Sequence, residues 1–249
     1  MPGGTDRSRL PRVDVLGIGV DCVDRAGLLG CVAGLIAAKG RATIAYVNVH
    51  VMNVAAHDHA LRSFLDAAEV VYCDGGGVVL GARLLGGTLP ERMTGADWIW
   101  DLAARAEAEG WRIFWMGGEP GVAAEAARRL CERHPALKIA TEHGFVDDAR
   151  AVVAAMNGFA PDLVLVGMGT PVQERWVATN RAAIDAPVVW VTGATADFVS
   201  GRVARGPAWL HQRQEWLARL LVDPRRLWRR YLVGNTVFLA RVMRARVRP

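Results

Sequence analysis

The chain has 249 residues, of which 52% are hydrophobic, and its formal net charge is +5. This length is enough for one large α/β domain, or for one domain with an appendage, and the absence of about 20 consecutive apolar residues argues against a membrane-spanning helix. The N-terminal stretch lacks the apolar segment of a secretory signal. The four cysteines form no C-x-x-C pair, so the sequence indicates neither a zinc site nor a disulfide framework, and a reducing cytoplasm is the simplest setting.

The charge is unevenly distributed along the chain. Residues 202–249 contain 12 arginines and only two acidic residues, a net charge of +10, which leaves residues 1–201 with a net charge of −5. We therefore expect an acidic body over residues 1–201 and a basic, tryptophan-rich helical appendage over residues 202–249.

Strand and helix patterns alternate along the body. The apolar runs are, in chain order, RATIAYVNV, EVVYC, WRIFWMGG, LKIATEHGF, PDLVLVGMGTP and PVVWVTGA, and helical patterns follow them. This alternation predicts a mainly parallel, Rossmann-like α/β sheet with helices on both faces. Because ligands of such sheets bind beyond the carboxyl ends of the strands, we expect the site in the turns Asn48–Asn53, Asp74–Gly77, Gly117–Gly121, Gly167–Glu174 and Gly193–Asp197.

The second strand pattern ends on an acid and three glycines, Asp74–Gly77. The carboxylate of Asp74 could simply accept backbone N–H groups and hold the turn. Alternatively, it could take a proton from a hydroxyl in an apolar-walled cleft, where burial would raise its pKa toward the working range.

Two glycine-rich turns suit the approach of an anionic ligand. MGGEPGV, which contains Gly117 and Gly118, opens a helix and would let backbone amides approach a phosphate or a ribose. GMGTPVQERW, which contains Gly167 and Gly169, forms a turn before a helix. Neither turn has the lysine of a Walker motif.

The side chains that follow the second of these turns, Gln173 and Glu174, are expected to face the mouth of the cleft. Complementation of the helix dipole would explain Glu174 but not the whole Gln-Glu-x-x-Trp combination. In the segment RMTGADW, Arg92 either clamps a diphosphate or is an ordinary surface arginine. The six histidines show no zinc-binding spacing and are interpreted as structural or surface residues.

The appendage has three interpretations: a solvated face, a nucleic-acid patch or a membrane-surface element. Arginines interspersed with tryptophan, leucine and tyrosine suit the headgroup region of an anionic bilayer. Nucleic acid would tolerate the same mixture, but the acidic body makes it the weaker interpretation, and we expect no nucleic-acid partner.

Taken together, these segments resemble the WecG/TagA/CpsF glycosyltransferase family. The resemblance covers about residues 13–231 and rests on motifs in the same order, namely YCDGGGVVLGARLLGG, ERMTGADW, WRIFWMGGEPGV, PDLVLVGMGTPVQERW, TGATADFVSGRVARGPAW and EWLARLLVDPRRLWRRYL. One departure is Tyr46, which stands where the family often has threonine two residues before the asparagine, here Asn48.

The resemblance implies an inverting enzyme that moves a sugar such as N-acetylmannosamine from a UDP donor to a polyprenyl-diphosphate-linked sugar. This reaction takes place at the inner face of the cell membrane, in teichoic-acid or exopolysaccharide synthesis. Asp74 takes the place of the family's general base, and the glycines after it would keep the space clear for sugars. The implied substrate-binding residues are Asn48, Arg92, Thr94, Asp97, Gly117, Gly118, Gly167, Gly169, Gln173, Glu174, Arg205, Arg225, Arg226 and Arg229.

The sequence contains no D-x-D motif, so we expect no metal and no other cofactor, with arginines and helix N-termini stabilising the leaving UDP. A non-catalytic nucleotide-binding regulatory protein remains an alternative. A nicotinamide-dependent oxidoreductase is less consistent with the first unit, VLGIGVDCVDRAG, which lacks G-x-G-x-x-G. The formation of homo-oligomers is left open.

Overall fold

The computed structural model describes residues 10–204, 216–217, 220–222 and 224–247, without the side chain of Arg226. It confirms the predicted α/β fold, because six parallel strands form one sheet in the order β4-β3-β8-β7-β5-β6. The strands of this sheet are β3 (Ala42–Val47), β4 (Val70–Cys73), β5 (Arg112–Gly117), β6 (Lys138–Glu142), β7 (Leu163–Gly167) and β8 (Val188–Val191).

A short hairpin precedes the sheet, where the sequence had been interpreted as a first βα unit. Its strands, β1 (Arg12–Val15) and β2 (Ile18–Asp21), are antiparallel. Leu16 and Gly17 between them both have positive φ angles, of 56° and 82°, as in the tight turn that suits the twist of a hairpin. The carboxylate of Asp21 accepts hydrogen bonds from the Arg12 side chain, at 2.6 Å, and from the backbone N–H of Val71, at 2.6 Å. The hairpin is thereby attached to β4.

Helices cover both faces of the sheet. They are α1 (Arg25–Ala37), α2 (Val49–Ala55), α3 (His59–Ala67), α4 (Gly76–Leu84), α5 (Gly95–Glu109), α6 (Val122–Arg133), α7 (Ala149–Phe159), α8 (Val172–Asn180) and α9 (Thr195–Val199). The helical pattern predicted after β3 is split into α2 and α3. The reason is Asp58, whose side chain caps α3 by accepting the N–H of Leu61 at 3.0 Å.

An aromatic cluster packs α5 against the sheet. The rings of Trp98, in α5, and Trp190, in β8, are stacked with their centroids 4.0 Å apart, and Tyr72 meets both edge-on. All three side chains are fully buried. This packing brings the start of α5 so close to α9 that a Cβ atom on Gly95 would lie 1.9 Å from the Thr195 Oγ1 atom.

The C-terminal segment contains α10 (Pro224–Trp228), a π-helical turn (Arg229–Val233) and α11 (Gly234–Val247). Helix α11 packs on α2 and α4 and inserts Phe238 and Val242 into the hydrophobic core. The last helix therefore shares the core of the body, which the division at residue 201 did not anticipate. Among the described residues, no helix is both long and apolar enough to cross a membrane.

Candidate active site

A cavity of about 160 Å³ lies at the carboxyl edge of the sheet, where β4, β3, β8 and β7 end. Among the described residues, the cavity wall has one acid, Asp74, and two side chains with basic nitrogen atoms, His50 and Arg230. The rest of the described wall consists of threonines, glycines and alanines from the turns and helix starts at this edge, together with Asn48 and the rings of Tyr46 and Phe198. This is the edge at which the sequence predicted the site.

Asp74 and Asn48 meet in this cavity because they follow the adjacent strands β4 and β3. The Asn48 Oδ1 atom caps α2 by accepting the N–H of Val51 at 3.1 Å. This fixes the orientation of the amide, so that its Nδ2 atom donates to the Asp74 Oδ2 atom at 3.2 Å. The pair presents a half-buried carboxylate that is oriented by one amide, a suitable arrangement for a general base.

The glycines after Asp74 have a packing role. A Cβ atom on Gly75 would lie 3.1 Å from the Asn48 Cβ atom, and one on Gly77 would lie 2.5 Å from a methyl carbon of Val49. The glycines therefore let α4 start directly against the beginning of α2. None of the three lines the cavity, and the expectation that they clear space for sugars stays a prediction.

The segment that contains Arg92, Thr94 and Asp97 is divided between the cavity and its surroundings. Thr94 lines the cavity and donates through Oγ1 to the Asp97 Oδ2 atom, at 2.7 Å. The Asp97 carboxylate itself is not part of the cavity wall. Arg92 is half-buried beside the glycine turn, where a Cβ atom on Gly76 would lie 3.9 Å from its Cδ atom. A substrate-binding role for Arg92 stays a prediction.

Gln173 and Glu174 lie behind the cavity wall and not at its mouth, so their predicted orientation is wrong. Their side chains are 0% and 1% exposed. The Gln173 Oε1 atom accepts the N–H of Gly193 at 3.0 Å, and its Nε2 atom donates to the Glu174 Oε1 atom at 2.8 Å. Burial raises the pKa of the Glu174 carboxyl group. The position of Gln173 and Glu174 near the start of a helix was predicted correctly from the sequence. The direction of their side chains depends on how α8 packs, which local sequence does not show.

The other predicted glycines hold the strand ends together. A Cβ atom on Gly117 would lie 2.5 Å from the carbonyl oxygen of Gly167, and one on Gly167 would lie 2.5 Å from the carbonyl oxygen of Gly193. Gly118 has a φ of 66°, a conformation that side chains disfavour. Of the four predicted glycines only Gly169 lines the cavity. Contact between a nucleotide and the others stays a prediction.

Two of the predicted arginines of the appendage can be located in the structure, Arg225 and Arg229. Arg205 and the side chain of Arg226 lie outside the described part of the structure. Arg225 and Arg229 are exposed, and the guanidinium of Arg229 lies 5.3 Å from the ring centroid of Trp228. Arg230, in the same cluster but absent from the predicted binding residues, lines the cavity.

Two further side chains of the cavity wall, Tyr46 and His50, were not among the predicted binding residues, although His50 lies within the predicted turn Asn48–Asn53. His50 had been interpreted as structural or surface. Burial, together with the positive charge of Arg230, lowers the pKa of His50 to about 4, so its ring is neutral at physiological pH. The signal that could have found both residues is their position, within two residues of the Asn48 turn.

A wider depression of about 570 Å³ adjoins the cavity through Ala96 and Phe198. It contains arginines of α6, but carboxylates of the same helix already pair with two of them: Arg128 and Arg129 both bind Glu125. Within the described residues, no three His, Cys, Asp or Glu side chains cluster as a metal site would require. The expectation of metal independence stays a prediction.

The WecG/TagA/CpsF family of glycosyl transferases matches residues 13–249. The chain belongs to this family. It is also similar to the N-acetylglucosaminyldiphosphoundecaprenol N-acetyl-beta-D-mannosaminyltransferases of Staphylococcus aureus strains NCTC 8325 and MW2. Each is 26% identical over 245 residues, which cover 97% of this chain and 96% of the relative. As a member of the WecG/TagA/CpsF family the chain is a glycosyltransferase, and its cavity at the sheet edge is the candidate active site.

Proposed function

We propose that the protein transfers a sugar, N-acetylmannosamine or a related hexose, from a UDP-sugar to a polyprenyl-diphosphate-linked sugar in cell-surface polysaccharide synthesis. The observation that carries this proposal is the Asp74 carboxylate in the cavity at the sheet edge, oriented by the Asn48 amide. The similarity to enzymes whose name specifies a lipid-diphosphate-linked acceptor supports the acceptor class.

In the proposed reaction, Asp74 accepts the proton of an acceptor hydroxyl group while the oxygen of that group attacks the anomeric carbon of the donor sugar. A new carbon–oxygen bond forms on one face of that carbon, and the bond to UDP breaks on the opposite face, which inverts the configuration. Since the cavity has room for about one sugar unit, the nucleotide and the lipid diphosphate extend beyond it.

The leaving UDP gains negative charge as the bond breaks, and preorganised positive groups lower the energy of that state. Among the described residues, Arg230 is the arginine placed to do this, because its side chain reaches the wall of the cavity. Arg92, beside the glycine turn, is a second candidate. Neutral His50 next to Arg230 adds a polar group to the wall without adding charge.

The C-terminal segment is proposed to bring the enzyme to the inner face of the cell membrane as a peripheral protein. Several large apolar side chains of this segment are exposed, and arginines lie between them. Such a mixture suits the interface of an anionic bilayer. The exposed apolar side chains in the segment include Leu221, Val222, Trp228, Leu232 and Val233.

The test of the base assignment is Asp74→Asn, assayed by UDP release with an N-acetylglucosamine-diphosphate-polyprenyl acceptor and a panel of UDP-sugars. We expect normal folding, retained UDP binding and a rate reduced by about 10²–10⁴-fold. The comparison variant is Asp97→Asn, which removes the adjacent acid that accepts the Thr94 hydroxyl group without lining the cavity, and it should lower the rate less than Asp74→Asn.

Three outcomes would contradict the proposal. Near-normal turnover by Asp74→Asn would exclude this residue as the base. Binding of UDP by the wild-type protein without turnover of any UDP-sugar would favour a non-catalytic nucleotide-binding protein instead. Stabilisation by NAD and not by UDP in a thermal-shift measurement would point to an oxidoreductase.

A further inference from the structure

Tyr46 is the aromatic side chain of β3 that reaches the cavity from below. It is 7% exposed, and its ring lies beside that of Tyr72, with centroids 6.2 Å apart. The hydroxyl group extends under the turn after β8, where a Cβ atom on Gly193 would lie 2.6 Å from it. The phenol oxygen is therefore held at the floor of the site by packing on its own ring and on this turn.

The buried pair Gln173 and Glu174 determines which hydrogen-bonding role the Tyr46 hydroxyl takes. The Gln173 Oε1 atom accepts the N–H of Gly193, so the Nε2 atom has the two hydrogens. One is donated to the Glu174 Oε1 atom at 2.8 Å, and the other points to the Tyr46 oxygen at 3.4 Å. The phenol oxygen is thus an acceptor toward Gln173.

The hydrogen of the Tyr46 hydroxyl group consequently points away from Gln173. In the part of the chain that the structure describes, its acceptor is the Thr170 Oγ1 atom, at 3.5 Å, the upper limit for a hydrogen bond. Thr170 gives its own hydrogen to Glu174, at 2.8 Å. Burial and the negative charges of Glu174 and Asp74 raise the pKa of Tyr46 to about 12, which keeps the phenol protonated.

We propose that the Tyr46 hydroxyl group donates a hydrogen bond to an oxygen of the sugar that occupies the cavity, and that Gln173 and Glu174 are positioning residues that orient it. The nature of the ligand rests on the proposed function. The hydrogen-bond directions rest on the contacts described above. Glu174 acts at a distance from the substrate, through the Gln173 amide, and this accounts for a buried carboxylate beside the site.

The decisive experiment combines Tyr46→Phe, Glu174→Gln and the double variant. Tyr46→Phe keeps the ring and removes only the hydroxyl group. Loss of one neutral hydrogen bond should lower kcat/KM by roughly 3- to 10-fold. Because Glu174 is proposed to act through Tyr46, the double variant should be no slower than the slower single variant, whereas independent effects would multiply.

The matched control is Tyr72→Phe. Tyr72 is also a buried tyrosine, opposite Tyr46 on the neighbouring strand, but it does not line the cavity. We expect kcat/KM within about two-fold of wild type for this control. Urea unfolding of every variant identifies those that lose activity through instability and not through the site.

Calorimetric binding of the UDP-sugar, of UDP alone and of the lipid-diphosphate-linked sugar requires no turnover, so it separates this proposal from the reaction. Tyr46→Phe should weaken binding of one of the two sugar-bearing ligands by at least about three-fold and leave the binding of UDP unchanged.

If binding of both sugar ligands and kcat/KM match those of Tyr72→Phe, Tyr46 does not contact the sugar. If the effects of Tyr46→Phe and Glu174→Gln multiply, the positioning role is wrong. If wild type binds both ligands without turnover, the proposed function fails, and the binding comparison still tests Tyr46.

Discussion

Replacing Phe238 with alanine should release helix α11 from the core while the sheet stays folded. The Phe238 side chain is 1% exposed, and its ring lies directly against the backbone of α4, since a Cβ atom on Gly81 would be 2.7 Å from it. Val242, one turn later, is fully buried on the same surface. These two side chains are the apolar contact through which α11 is attached.

The size of the effect follows from the contacts of this helix. Removing a buried phenylalanine side chain costs roughly 3–5 kcal/mol. Three described hydrogen bonds join α11 to α2: Asn53 donates to the carbonyl oxygen of Gly234 at 2.8 Å, and Arg241 donates to that of Met52 at 2.9 Å and to the Asn53 Oδ1 atom at 3.2 Å. The neutral bond contributes about 0.5–1.5 kcal/mol and each bond from the charged Arg241 about 1.5–3 kcal/mol, so the contribution of Phe238 is at least as large as that of any one of these bonds.

Amide hydrogen exchange measures this local opening directly. In Phe238→Ala we expect the protection of α11 amides to fall by about two to three orders of magnitude, since about 1.4 kcal/mol corresponds to a factor of ten. Protection of the central strands should not change. The control is Met243→Ala, on the same helix but 47% exposed, which should leave exchange unaltered.

The same variant tests whether α11 holds Arg230 in the cavity. Release of the helix should lower kcat/KM to about the level of Arg230→Ala, measured by UDP release. Unchanged α11 protection in Phe238→Ala would refute the docking energetics. Loss of protection spread evenly over the whole sheet would show that α11 does not open as a separate unit. Full activity with a released helix would refute a role for Arg230.

Three other predictions concern the packing, the pH response and the membrane. Gly95→Ala should destabilise the fold by about 1–3 kcal/mol in urea unfolding, because its Cβ would lie 1.9 Å from the Thr195 Oγ1 atom. Adding Thr195→Ala should restore part of this loss, and no recovery would contradict the proposed clash. The pKa of His50 is lowered from 6.5 to about 4, so the unfolded chain binds the proton more readily and stability should fall as the pH drops from about 6.5 to 4. The full shift corresponds to about 3 kcal/mol, and partial exposure of the ring to solvent reduces the expected fall to about 1–2 kcal/mol. His50→Gln should show a smaller fall over that range, and an identical pH profile would contradict the assignment. Trp228→Glu with Leu232→Glu should weaken sedimentation with anionic vesicles while the protein stays folded, and undiminished sedimentation would contradict the membrane-binding surface.

Much of the site could be located from sequence because parallel strands bring their carboxyl ends to one edge. Asn48 and Asp74 each follow an apolar run, and in the structure their strands are neighbours and their side chains are hydrogen-bonded. Which other residues near these two positions reach the cavity could not be predicted. Tyr46 lies inside an apolar run and is typical of a core residue, although its ring lines the cavity.

Long-range packing explains the errors as well. Gln173 and Glu174 stand at the start of a helix, a position from which a side chain could point to solvent, to a ligand or inward. Their direction depends on the turn after β8, whose Gly193 N–H group is 20 residues away in sequence from the Gln173 amide that accepts it. The Phe238 contact with α4 likewise joins segments that no local pattern relates.

The sequence by itself determined the α/β class, the six strands of the sheet, and the sheet edge at which the candidate site and Asp74 lie. It could do so because periodicity, strand-end turns and the order of motifs are local properties of the chain. The tertiary structure alone decided which side chains share the cavity, that the Gln173–Glu174 pair is buried, and that the C-terminal helix brings Arg230 to the wall. Those features depend on contacts between segments far apart in the chain, and their energies arise only when the segments pack together.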